Sequence, residues 1–198
     1  MSVIGGLNKS EIRIGTLDQT EVIGAALFGP IGATLPTMAE MDVTTNYVGI
    51  GYLVEDGFSV APGQSSTAIR EHNLGNVRLI SNGDEKSITI VAMQTNAENF
   101  RIMLGNEHVA ETAATTTHGK VVQANFGNWV GSEGVLQVRL KDGNAYGVWC
   151  IPHAQVMEVA EVEVNASGVM GWSMKFVAMA NPDGPDMFYL SDDGQVSA

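Results

Sequence analysis

Glycine or an Asn/Asp pair interrupts this chain every few residues, and the runs between are short and rich in Val, Ile, Thr and aromatics. With 23 glycines spread this way, no stretch sustains a long 3.6-residue period. Such punctuation dictates a mainly β protein of short strands and tight turns. Strands are expected over residues 47–60, 76–81, 86–94, 135–141, 144–151, 156–165 and 169–180. At 198 residues, 44% of them hydrophobic, the chain has material for one core and is expected to form a single domain over 1–198.

Two hairpins are expected in register. Asp142-Gly143 offers a type I′ turn, whose two central residues both need positive φ. With Lys141 opposite Asn144, Leu136, Val138 and Leu140 face Trp149, Gly147 and Ala145. The other face pairs Arg139 with Tyr146, Gln137 with Val148 and Val135 with Cys150. That face is half-apolar, so a cover such as another subunit is expected over it. The second hairpin turns at Asn82-Gly83-Asp84-Glu85, where a four-residue loop opposes Val77 to Ile90 and Leu79 to Ile88. This register keeps the apolar residues on one face. One helix is expected. Thr95-Asn96-Ala97-Glu98 reads as a capping box, Phe100, Met103 and Leu104 form one stripe, and Gly105 stops it.

Residues 61–76 (APGQSSTAIREHNLGN) separate two strong strand signals with mostly polar or small residues. Loops this long are uncommon inside a domain unless they have a job. The segment reads either as a floppy hairpin tip or as an arm that reaches a neighbouring molecule. Residues 1–25 and 182–198 are also weakly patterned, as terminal extensions often are.

Charge narrows the function. Ten Lys and Arg stand against 22 Asp and Glu, for a net charge of −12. A protein that grips nucleic acid needs clustered positive charge instead. The apolar stretch 22–33 follows Asp18 and Glu21 rather than a basic segment, and Gly24, Gly29 and Pro30 interrupt it. It is too short for a spanning helix, which needs ~20 residues, and unlike a secretory signal. A protein made in the cytoplasm is expected.

Catalytic and metal spacings are missing. His72, His108, His118 and His153 are scattered, and Cys150 has no cysteine to pair with. Cys150 lies between Trp149 and Ile151 in a strand, where a packing role is expected. Gly49-x-Gly51 lacks the third glycine and helix of a dinucleotide loop. The acidic run from Asn181 to Asp186 and on to Asp193 has turn chemistry rather than calcium-loop spacing. In 156–164 (VMEVAEVEV), Glu161 and Glu163 share a face with Met157 and Val159. Paired acids do acid–base work only with a cleft and a second group, and none can be named. Neither an enzyme nor a cofactor is indicated. An alternative is a β-sandwich that binds carbohydrate, with Trp129, Trp149 and Trp172 as stacking platforms.

Four stretches, together and in order, resemble the major tail (tail tube) proteins of long-tailed phages, especially those of actinobacterial hosts. They are 26–37 (ALFGPIGATLPT), 49–58 (GIGYLVEDGF), the strand–capped turn–helix–Gly of 87–105, and 150–164 followed by 174–186 (MKFVAMANPDGPD). The similarity covers most of the chain from Ala26 to Leu190. It departs from the family where Arg70-Glu71-His72-Asn73 stands in place of a tryptophan, and where Ala178-Met179-Ala180-Asn181 replaces a more aromatic approach to Pro182-Asp183.

The resemblance implies a tail-tube-type β-sandwich or half-barrel with one short flanking helix. It also implies an N-terminal arm (1–25), a long hairpin loop (61–76) and a C-terminal arm (182–198) that bridge subunits of stacked hexameric rings. Gln64, Ile69, Arg70, Glu71 and His72 become inter-ring candidates, and Glu161 and Glu163 become candidates for the wall of a DNA-conducting lumen. The implied partners are further copies of the chain and the tape-measure, terminator and baseplate or tip proteins, with the virion tail as location. Six copies at −12 would put −72 on each ring. A lumen of the same sign as DNA gives no counterion-release gain, so the duplex slides, and salt confines the repulsion to ~8–10 Å.

Overall fold

The computed structural model describes residues 24–63, 65–72, 75–83, 85–160, 162, 168 and 170–195. In chain order its strands are β1 (Ala26–Gly29), β2 (Val48–Gly49), β3 (Leu53–Ala61), β4 (Ser65–Glu71), β5 (Gly75–Asn82), β6 (Ser87–Ala92), β7 (Val109–Thr112), β8 (Val121–Ala124), β9 (Glu133–Asp142), β10 (Ala145–Val159), β11 (Trp172–Ala178) and β12 (Phe188–Asp192). One helix, α1 (Ala97–Leu104), is followed by a 3-10 turn at Asn106–His108. The mainly β class with a single short α-helix is as the sequence indicates.

The main sheet has the order β2-β1-β9-β10-β11-β6-β3, and β12 also pairs with β10. Its two outermost strands, β2 and β3, are consecutive in the chain, separated only by Ile50, Gly51 and Tyr52. Laid flat, seven strands would put those edges ~29 Å apart. The link from Gly49 to Leu53 reaches at most ~15 Å. The sheet therefore curls until its edges meet, as in a barrel. The linker bonds to both sides: the Ile50 amide donates to Ala26 at 2.9 Å, and the Met93 amide donates to the Tyr52 carbonyl at 2.8 Å. Gly51 adopts φ 89°, and a Cβ there would run into the Gln94 amide. The expected single strand over 47–60 breaks here because it must cross from one edge to the other.

The interior fills by rows. Phe28, Leu136 and Ile151 lie side by side on β1, β9 and β10, and Ile88, Phe176 and Val156 do so on β6, β11 and β10. Phe28 and Phe176 meet across the interior with ring centroids 5.7 Å apart. In β10 the inward positions change from odd (Ile151) to even (Ala154, Val156). The register shift against β9 between Ile151 and Ala154 makes this change. It sits at Pro152, which has no amide for a ladder. Two expected strands, 144–151 and 156–165, are thus one 15-residue strand ending at Val159.

The β9–β10 turn differs from expectation by one residue. Asp142 pairs with Ala145, leaving Gly143-Asn144 in the turn. Gly143 has φ 61° and Asn144 does not have positive φ, the pattern of a type II′ turn with glycine in its first central place. Leu136, Val138 and Leu140 therefore oppose Ile151, Trp149 and Gly147, while Arg139 meets Val148, Tyr146 meets Lys141 and Cys150 meets Gln137. The faces survive because each partner moves by two positions.

The second face, expected to need a cover, is covered by the chain itself. Leu27, Gln137, Cys150 and Phe188 form a row under Ala33, Leu35, Val43 and Tyr47. Arg139, fully buried, fastens this flap: its guanidinium donates to Asp42 at 2.6 Å and to the Gly24 carbonyl at 2.7 Å. Tyr47 donates its hydroxyl to the Thr34 carbonyl at 2.9 Å. Burial pushes its pKa up to about 12.

α1 packs against β7, β8 and β10, burying Phe100, Ile102, Met103 and Leu104. Its cap is Asn96, whose side chain accepts from the Asn99 amide at 2.8 Å, and not Thr95. The Thr95 hydroxyl instead accepts from Trp172 Nε1 at 2.9 Å, and Glu98 pairs with Arg101. Asn is at least as good a cap as Thr, and Thr95 has a better partner nearby. Gly105 ends the helix at φ 88°, as expected.

Candidate assembly surfaces

The largest departure from the sequence expectation is at residues 61–94. The hairpin expected across 82–85 does not form. β6 instead lies between β3 and β11, with Ile88 opposite Val60 and Phe176, and Ile90 opposite Phe58 and Met174. Those neighbours bury both isoleucines, which Val77 and Leu79 alone could not do. Freed from β6, β5 pairs with β4, so most of the expected long loop is itself a strand. Thr67 and Ile69, β-branched and alternating, were the signal for it. The result is an arm inserted between Ala61 and Ser87, the last pair of β3 and β6. At its foot, Lys86 and Asp186 form an ion pair at 2.7 Å, which holds the Asp186 carboxyl below its usual range.

The arm is a separate two-stranded sheet. Ala68 opposes Leu79, and in the alternate pairs Thr67 opposes Ile80 and Ile69 opposes Arg78. A bulge at Val77 follows. Ile69, Val77, Leu79 and Ile80 are 44%, 55%, 65% and 44% exposed, so apolar side chains stand in solvent on both faces. A lone hairpin is marginal in water, and one with two apolar faces is an unfinished layer. Of the inter-ring candidates, Ile69, Arg70 and Glu71 lie on β4 and His72 follows it, all exposed; Gln64 lies outside the described residues.

A second surface lies beside β12. This strand continues the line of β11 along one edge of β10, with Cys150 opposite Phe188 and Tyr146 opposite Asp192. Residues 188–192 of the expected C-terminal arm are thus built into the main sheet. Among the described residues β12 pairs on that side only. A groove of about 740 Å³ runs along it, lined by Met38, Met41, Tyr189, Leu190, Ser191, Asp192 and Asp193.

Other candidates settle into packing and turns. The Cys150 thiol is fully buried, and burial pushes its pKa up to about 12, far from a reactive thiolate. Trp149 lies against Tyr189 with centroids 4.7 Å apart. Trp172 contacts Phe100 at 4.9 Å and stacks with Phe126 at 6.3 Å, while Trp129 packs against the core. In the acidic run, Asn181 accepts from the Asp183 amide, Asp192 from Gly194 and Asp193 from Gln195, which is turn chemistry. No three His, Cys, Asp or Glu among the described residues are grouped to hold a metal, and no described helix is long and apolar enough to cross a membrane. Glu161 and Glu163 lie outside the described residues. Of the face they were expected to share, Met157 is exposed while Val159 packs on the core, because a second bulge separates Val156 from Glu158.

A family model described as phage tail tube protein matches residues 6–198. No curated protein matches the chain.

Proposed function

The chain belongs to the phage tail tube protein family, and from that premise we propose that six copies close into a ring and that stacked rings form the conduit for DNA from capsid to host. The protein is a structural component of the tail tube. The observation that carries the ring-and-tube reading is the arm, whose exposed Ile69, Val77, Leu79 and Ile80 have no cover among the described residues. Neighbouring copies supply that cover, with Ile69, Arg70, Glu71, His72 and Gln64 at the inter-ring contact.

In this reading residues 1–198 form one tail-tube domain, with 1–25 and the end of 182–198 as further bridges. Glu161 and Glu163 face the lumen, and the charge of −12 per copy keeps DNA from adhering. The chain is made in the host cytoplasm, joins tape-measure, terminator and tip proteins, and performs no catalysis.

Electron microscopy of the purified chain is the test, with tubes or six-fold rings expected. Removing residues 64–82, so that Gly63 joins Gly83, should leave a folded monomer that forms no tubes. The whole arm must go, because a shorter cut at 63–74 would strip β5 of its partner. Normal tubes from the deletion variant would remove the arm from assembly. A wild-type chain that stays monomeric at high concentration and is missing from virus particles would end the proposal.

A further inference from the structure

We propose that the arm of one copy docks by strand addition in the groove beside β12 of a second copy, with the outer edge of β5 pairing to β12 and Arg78 meeting Asp192 and Asp193. This docking rests on the ring-and-tube reading and specifies where the arm lands.

Each half lacks what the other has. β12 pairs only with β10 among the described residues, so its other edge presents the backbone groups of Phe188–Asp192 along the groove. An unpaired edge is a template for another strand. Five residues span ~17 Å, and β5, with eight, is long enough to match them. Among the described residues β5 in turn pairs only with β4, which leaves its own outer edge open to them.

The side chains agree with the backbone. One groove wall carries Met38, 92% exposed, and Met41. Flexible thioethers adapt to an incoming apolar surface. Val77, Leu79 and Ile80 supply that surface on β5. Charge fixes the polarity. Ser65–Asn82 carries two arginines against one glutamate, a net +1, within a chain of −12. Among the described residues Arg70, Arg78 and Lys141 have no ion pair, whereas Lys86, Arg101, Lys120, Arg139 and Lys175 do. The groove ends in the exposed Asp192 and Asp193. Because arm and groove are different surfaces, the contact is head-to-tail and repeats from copy to copy, closing as a ring or extending as a filament.

Cross-linking tests the contact directly. Single variants Arg78→Cys and Asp192→Cys are mixed, assembled and oxidised; buried Cys150 does not compete. The mixture should yield at least about tenfold more cross-linked pair than either variant alone, and Arg78→Glu should lower assembly by about tenfold or more, the scale of a lost close charge pair. Adding Asp192→Arg to Arg78→Glu should restore assembly. Normal assembly of Arg78→Glu, or a disulfide that forms only when both cysteines share one chain, would overturn the docking and leave the ring-and-tube reading standing. A wild-type chain that never assembles would overturn both.

Discussion

Val148, Cys150, Ile151 and Ala154 of β10 are all fully buried, because one face of the β9–β10 hairpin lines the barrel and the other lies under the Ala33–Tyr47 flap. Val77, Leu79 and Ile80 of β5, in a hairpin of similar construction, stand in solvent. Both hairpins have a ladder with one bulge and carry β-branched residues, so neither ladder nor propensity accounts for the difference. What separates them is whether the same chain provides the opposing layer. In the body it does so twice, with its own interior and with a flap fastened by Arg139; in the arm no described residue does so on either face. Burial is the term that makes a strand pair stable, so the body supplies its own stabilisation, while the arm does not do so from the described residues.

The sharpest way to break this contrast is to truncate one large apolar residue in each region. Phe176→Ala, at a fully buried core position, should cost the isolated chain about 3–5 kcal/mol, read as a fall in urea midpoint. Leu79→Ala should leave that midpoint unchanged and instead reduce tube formation. Equal destabilisation by both variants would mean that the arm is part of the folded body.

A smaller effect tests the flap. Asp42→Ala leaves the buried Arg139 guanidinium with only the Gly24 main-chain carbonyl as acceptor among the described residues. Breaking a buried pair costs about 3–5 kcal/mol, and the 57% exposure of Asp42 places the expected loss near the lower end. Thermal unfolding of the isolated chain measures it, and an unchanged midpoint would show that apolar packing alone holds the flap.

The smallest effect concerns the helix start. Asn96→Ala should cost about 1 kcal/mol through the lost cap. Thr95→Ala should cost less, since its hydroxyl serves Trp172 rather than the helix. The reverse ranking in thermal scans would restore Thr95 as the cap.

The body was largely legible in the sequence and the arm was not, for the same reason. Alternation at Leu136-Val138-Leu140 and at Ile88-Ile90 marks strands whose apolar side is covered within the chain, and those strands lie where the pattern puts them. Their partners were harder to read. Val77 and Leu79 match Ile88 and Ile90 in pattern, and the rule that apolar faces meet chose that pairing. It fails because β3 and β11 compete for β6 and bury more. The II′ turn at Gly143-Asn144 and the bulge at Pro152 turn on which residue takes positive φ and where a missing amide is tolerated, and period-two alternation carries neither. The flap over Cys150 was legible as a need for cover, while its source in residues 33–47, a stretch with few regular elements, was not. The candidate contact residues Ile69, Arg70, Glu71 and His72 were chosen on a segment whose length and polarity were out of keeping with a plain turn, and they lie on β4 or just after it.

The short crossing through Ile50, Gly51 and Tyr52 has a mechanical consequence. In an open sheet the outer strands fray first, each on its own. Here the peptide that leaves one outermost strand is already the start of the other, so loosening either tugs on both. A tail tube subunit gains from a sheet whose two outermost strands cannot come away separately, and three residues are enough to sew them together.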